Sequence, residues 1–328
     1  MAVTTIGTPW AWAGFIAFVV ALLALDLLVF HRKAHAVRVR EALVFTLAWV
    51  GLALLFNVGV ATLYGPQRGL EFLTGYLIEK ALSVDNLFVI LVLFSYFAVP
   101  PALQHRVLFW GILGALVMRA LFIVLGAALL ERFHWVMFVF GAFLVFTGIK
   151  LLLGNQGEVH PEKNLVLRLF RRLVPSVSDY RGASFSVVEN GKWFATPLLM
   201  VLVVVEATDI VFAVDSIPAI FAVTTDPFIV FTSNIFAILG LRSLYFVLAG
   251  MLTRFHYLKV GLGLVLAFVG GKMLLADVLP IHVGVSLGVI AVLLTGSIVA
   301  SLLRPRAEAK EPAPASSAPS TTAPQNGG

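Results

Sequence analysis

Nine stretches of mostly apolar residues follow one another with short polar joints, at about 10–30, 42–63, 71–98, 106–130, 135–153, 196–221, 227–252, 257–278 and 283–303. Each approaches the roughly twenty residues that a helix needs to cross a lipid bilayer. A chain of 328 residues that is 60% hydrophobic and 12% charged, with mean hydropathy +1.00, is too apolar for an ordinary soluble domain. In lipid the backbone must satisfy its own hydrogen bonds, so apolar segments of this length fold as helices. The expected fold class is therefore all-α, a polytopic membrane helical bundle of about nine transmembrane helices.

The basic residues orient the bundle. Arg32, Lys33, Arg38 and Arg40 follow the first apolar run, which marks it as an anchor with its N-terminus outside and not as a cleaved leader. Nine crossings then place sixteen Lys and Arg on the inner side and only Arg68 and Arg132 outside, with the C-terminus cytoplasmic. The net charge of +6 is thus an orientation signal with a lipid-headgroup contact, and no motif points to nucleic acid. The chain has no cysteine, which removes disulfides, thiol redox chemistry and thiolate metal sites.

The segments divide into a transmembrane transport domain, 1–306, and a tail, 307–328, rich in Ala, Pro, Ser and Thr and expected to be disordered. A polar stretch, 154–195, is expected to lie on the inner membrane surface through the amphipathic patch around Leu165, Leu167, Leu169 and Phe170. The flanking blocks, about 71–153 and 196–278, resemble each other. Glu79 and Asp85 are six apart, as are Asp209 and Asp215; Arg119 answers Arg242; and Gly148 with Lys150 answers Gly270 with Lys272. Three-helix units in tandem must insert in opposite senses, so the pattern predicts an inverted repeat, an architecture suited to alternating access about a midplane site.

Five carboxylates fall inside apolar segments: Glu79 and Asp85 in the third, Glu206, Asp209 and Asp215 in the sixth. Facing lipid as charges they would cost up to roughly 12–18 kcal/mol together. Protonation, pairing with Lys80, Arg119 or Arg242, or a bound cation can compensate. Residues six apart on a straight helix point about 120° away from each other, so a shared site predicts a break, which Pro218 is expected to make beside Asp215. Asn86 and Ser216, which follow the matched aspartates, are candidate neutral ligands or interhelical hydrogen bonds. Lys150 and Lys272, near helix ends, are expected to snorkel. With no cysteine or histidine in the apolar interior, oxygen ligands suit Mn²⁺, Mg²⁺ or Ca²⁺.

Four motifs carry a family resemblance: ALDLLVFHRKAH at 24–35, EFLTGYLIEKALSVDNLFV at 71–89, EATDIVFAVDSIPAIFAVT at 206–224 and SNIFAILGLRSLYF at 233–246. Through them the chain resembles the TerC family, over nearly everything up to about residue 303. The resemblance implies a tellurium-resistance-associated protein of the cell inner membrane that exports manganese, with the acidic residues of the two matched motifs as the metal site. It adds Asp26, which otherwise meets the basic loop after the first segment.

The expected function is thus export of a divalent metal, Mn²⁺ as transported substrate, with proton entry as the coupled step and no separate cofactor. Its partners are the cation and the bilayer. No catalytic or nucleotide-binding pattern marks an enzyme or an ATP-driven pump. The alternative is a membrane scaffold for a metal or tellurite stress-response complex, built on the 154–195 loop and the tail.

Overall fold

A computed structural model of the protein describes residues 5–30, 39–133, 135–153, 165–249, 257–276, 278 and 281–303. Its elements in chain order are α1 (Pro9–Phe30), α2 (Val39–Tyr64), α3 (Pro66–Tyr96), α4 (Pro101–Arg132), α5 (Val136–Leu153), α6 (Leu165–Leu173), β1 (Ser186–Glu189), β2 (Lys192–Ala195), α7 (Pro197–Phe221), α8 (Pro227–Leu239), α9 (Leu241–Ala249), α10 (Leu258–Leu274) and α11 (Val283–Leu303). The protein is an all-α membrane protein with one small hairpin. Prolines open α3, α4, α7 and α8, where a missing amide hydrogen costs nothing and the fixed φ favours the first turn.

Five of the described helices are long and apolar enough to cross a membrane, or six if the bent pair α8–α9 is one span. The apolar parts of α1 and α10 are shorter, and α3, at 31 residues, carries Arg68, Glu71, Glu79, Lys80 and Asp85. The helix with the most interior charge is also one of the most embedded, packing against α2, α7, α8 and α11.

Two sequence expectations change. The segment expected to run unbroken from 227 to 252 bends by 41° between α8 and α9, at Gly240. Conversely, Pro218 does not break α7: it lies in the final turn, where little helix remains to be disturbed, and α7 continues to Phe221. The 154–195 stretch also holds more order than expected. Asn190 and Gly191, both at positive φ (53° and 74°), turn β1 onto β2 in the manner of a two-residue hairpin loop. In α6, Leu167 is buried and Phe170 packs on the core, while Leu169 and Leu173 remain exposed. Residues 154–164 and the 307–328 tail lie outside the described residues.

The tightest helix pair is α5 with α10, which run antiparallel over a glycine seam. A Cβ on Gly148 would come 2.7 Å from the Gly263 carbonyl oxygen, and one on Gly270 would come 2.7 Å from that of Gly141. Only glycine permits backbones this close. Pairing Gly148 with Gly270 also pairs Gly141 with Gly263, seven residues earlier in each helix, so the two contacts interchange when the halves are exchanged.

Candidate cation site

Arg119, from the middle of α4, is fully buried, and its guanidinium lies between α3 and α7. It pairs with the equally buried Glu79 and grips Asp209 with two bonds, Nη2 to Oδ1 at 3.1 Å and Nε to Oδ2 at 3.5 Å. Nη1 also donates to Asn234 Oδ1 at 3.2 Å and Ser216 Oγ at 3.4 Å. Glu79 accepts further bonds from Ser83 Oγ at 3.2 Å and Asn234 Nδ2 at 3.1 Å. One cation thus serves two carboxylates, and neutral donors from α3 and α8 spread the remaining negative charge. Opening such a network would strand buried charge, so it locks α3, α4, α7 and α8 together.

Lys80 has a different task. Its Nζ donates to the Ala237 carbonyl at 3.2 Å, in the last turn before the α8–α9 bend. A Cβ on Gly240 would sit 3.0 Å from that Nζ, so the glycine at the bend also makes room for the lysine. Arg242 is buried on α9.

Asp215 faces another environment. It lies six residues beyond Asp209 on α7, about 1.7 turns, and is turned away from it by about 120°, as an unbroken helix requires. Thr147 of α5 donates to its Oδ1 at 3.4 Å. Around this pair is a cavity of about 260 Å³, walled by Leu82 and Asn86 of α3, Thr147, Lys150 and Leu151 of α5, Phe212, Asp215 and Ser216 of α7, and Leu262 and Leu266 of α10. Asn86 is buried, yet its side-chain oxygen has no hydrogen-bond partner. A buried amide oxygen left unpaired is costly and invites a ligand. Asn86 also borders, with Asp209 and Phe212, a smaller pocket of about 40 Å³.

The structure therefore divides the carboxylates that the sequence grouped into one site. Glu79 and Asp209 join Arg119; Asp215, Asn86 and Ser216 line the open cavity, with Ser216 also reaching Arg119. Glu206, one turn before Asp209 on α7, sets its carboxylate against Gly114 of α4, where any Cβ would overlap it. Among the described residues no three His, Cys, Asp or Glu side chains converge as a metal centre. The side chains of Asp85 and Asp26 lie outside the described residues. Lys150 and Lys272 each line a cavity at their end of the α5–α10 pair.

Sequence reasoning missed Thr147 and Asn234, the latter inside the quoted 233–246 motif. Both are polar residues in apolar runs, the signal that drew attention to Asn86. It also passed over Glu71, which accepts from Arg68 Nη1 and from Thr224 Oγ1, each at 2.8 Å.

The profile of integral membrane proteins of the TerC family matches residues 64–309, three quarters of the chain and all of the helices just described from α3 onward. The chain belongs to the TerC family. It is 60% identical over 302 residues to the uncharacterized membrane protein STKORF319 of Myxococcus xanthus, covering 92% of this chain and 95% of that one. It is 50% identical over 295 residues to the "Putative membrane-bound redox modulator Alx" of Escherichia coli K12, covering 87% and 92% respectively. An uncharacterized membrane protein of Rickettsia felis is 40% identical over 294 residues, 90% of this chain and 98% of that relative. No solved structure matches the chain. The TerC family membership extends over the arginine cluster and the Asp215 cavity alike.

Proposed function

We propose that this TerC-family protein is a secondary carrier of the cell inner membrane that exports a hard divalent cation, Mn²⁺ by the family resemblance, through the Asp215 cavity. Asp215 supplies the charge, and the oxygens of Asn86, Ser216 and Thr147 supply neutral ligands, a set suited to Mn²⁺, Mg²⁺ or Ca²⁺. The observation that carries this reading is the buried, unpartnered side-chain oxygen of Asn86, a residue that lines the same cavity as Asp215. In the same reading Glu79 and Asp209 form the closed arginine cluster around which the cavity is built. Support for a carrier comes also from the interchangeable glycine contacts of α5 and α10, which suit a device whose halves exchange conformations.

Moving a divalent cation outward against an inside-negative potential costs about 4.6 kcal/mol per 100 mV. Without a nucleotide-binding motif, export must draw on another gradient, and inward proton movement is the coupling proposed here. A redox role, which the name of the Escherichia coli relative suggests for that protein, would have no thiol to work through in this cysteine-free chain.

The test is ⁵⁴Mn²⁺ flux in proteoliposomes, wild type against Asp215→Asn and Asn86→Leu at matched incorporation, with Mg²⁺ and Ca²⁺ as competitors. Loss of flux in Asp215→Asn with folding intact is the expected result. Wild-type protein that is folded yet silent would leave the scaffold as the better account. Flux unchanged after both the pH gradient and the potential are collapsed would remove proton coupling.

A further inference from the structure

A second cavity, of about 350 Å³, lies at the opposite end of the α5–α10 pair. Its wall includes Arg68 and Glu71 at the start of α3, Thr224 and Thr225 after α7, and Lys272 and Met273 of α10. Exchanging the halves so that Lys150 becomes Lys272 also turns Leu151, in the first cavity, into Met273, in the second. Each cavity thus takes one lysine from its own end of the α5–α10 pair.

An apolar plug separates them. Leu82 and Leu266 border the first cavity, and Met137, Val223 and Met273 border the second. All five belong to one cluster, and between them pack Ile78, Leu144, Ala219, Val265 and Val269, none more than 2% exposed. An apolar barrier of this kind holds back a hydrated ion until the helices around it move.

We infer that the second cavity is the far end of the same path: a release vestibule for a hydrated divalent cation, sealed from the Asp215 cavity by this plug. The inference rests on the carrier reading above. Its ligand chemistry is Glu71 with the hydroxyls of Thr224 and Thr225. Glu71 is held by Arg68 at 2.8 Å, and Arg68 also stands 4.0 Å from Asp226 Oδ2. The arginine therefore has a second carboxylate to turn to when Glu71 meets the ion, so no charge is stranded in the exchange. Arg68 and Lys272 keep cation affinity at this end low, which suits release. By the charge pattern of the sequence, this end faces outside.

The cysteine-free chain makes the path directly testable, since an introduced cysteine is the sole thiol. Thr225→Cys and Ala276→Cys proteins, each altered at a residue lining the second cavity, are treated in oriented proteoliposomes from the Arg68 side with a membrane-impermeant, positively charged thiol reagent, and ⁵⁴Mn²⁺ flux is read before and after. Both cysteines should react, and modification at 225 should remove most of the flux. Leu144→Cys, in the plug, should react only when Mn²⁺ is supplied and the protein turns over. Failure of either vestibule cysteine to react from that side, full labelling with unchanged flux, or Mn²⁺-independent labelling at 144 would each overturn the assignment. A cysteine-free parent that moves no Mn²⁺ would sink the carrier reading instead, and this proposal with it.

Discussion

Asp209 and Asp215 stand six residues apart on one continuous helix, and the protein treats them differently. Asp209 is gripped by a buried arginine that also holds Glu79, so its charge is matched inside the fold. Asp215 has one threonine hydroxyl at 3.4 Å and a cavity in front of it, whose lining also includes Lys150 and Asn86, the latter with an unpaired amide oxygen. Residue type alone does not say whether an intramembrane carboxylate is scaffold or site. What distinguishes the two is whether the fold has already supplied the counter-charge. The arginine cluster is polar architecture that fixes four helices; the cavity is polar architecture left incomplete.

The largest effects should come from breaking the cluster. Arg119→Ala removes the one cation between the buried Glu79 and the half-buried Asp209, and the loss should be about 3–5 kcal/mol of stability. Thermal unfolding in detergent should show it as a strongly lowered midpoint whether or not Mn²⁺ is present. A variant that unfolds like the wild type would mean that the cluster holds nothing together. On the other side of the comparison, Asp215→Asn should leave the unfolding midpoint nearly unchanged while lowering Mn²⁺ flux by about 100-fold, at the upper end of what loss of a metal-site group costs. The reverse pattern, stability lost and flux kept, would exchange the roles assigned to the two aspartates.

How far the sequence could see this is instructive. The helices were legible because lipid leaves the backbone few alternatives, and the charged residues were legible because they are rare in such segments. The 120° divergence of residues six apart was legible too, and on the continuous α7 it sends Asp209 and Asp215 to different partners. Partner choice was not. It depends on which helix face meets which, so Asn234 and Thr147 remained anonymous polar residues until α8 and α5 were packed against α3 and α7. The bend at Gly240 escaped for a related reason: a glycine in an apolar run has many uses, and only the approach of Lys80 shows this one. The 190–191 hairpin was readable, since Asn-Gly between short β-prone runs is a turn signal, but attention to the amphipathic patch passed over it.

A finer test separates ligand from scaffold at Asn86. Its oxygen has no partner to lose, so Asn86→Leu should be close to neutral for stability, as replacement of an unsatisfied polar group by an apolar one of similar size often is. Mn²⁺ binding measured by isothermal titration should nevertheless weaken by about tenfold, roughly 1.4 kcal/mol. A large drop in stability with unchanged binding would make Asn86 part of the helix packing and remove the observation on which the cation site rests.

The smallest expected effect is also the most specific to the open side. Lys150 lines the Asp215 cavity as an exposed cation, where its charge repels an incoming divalent ion but is screened by water. Replacing it with Gln should therefore strengthen Mn²⁺ binding, by a fewfold at most, since screened charge pairs contribute about 1 kcal/mol or less. The gain should fade as ionic strength rises, because the Debye length falls to about 3 Å in 1 M salt. The Arg119–Glu79 pair, fully buried, should show no such salt dependence. If Lys150→Gln weakens binding instead, the lysine is not a competitor of the ion but a group that holds Asp215 ready for it, and the cavity would then carry its own counter-charge as the Asp209 cluster does.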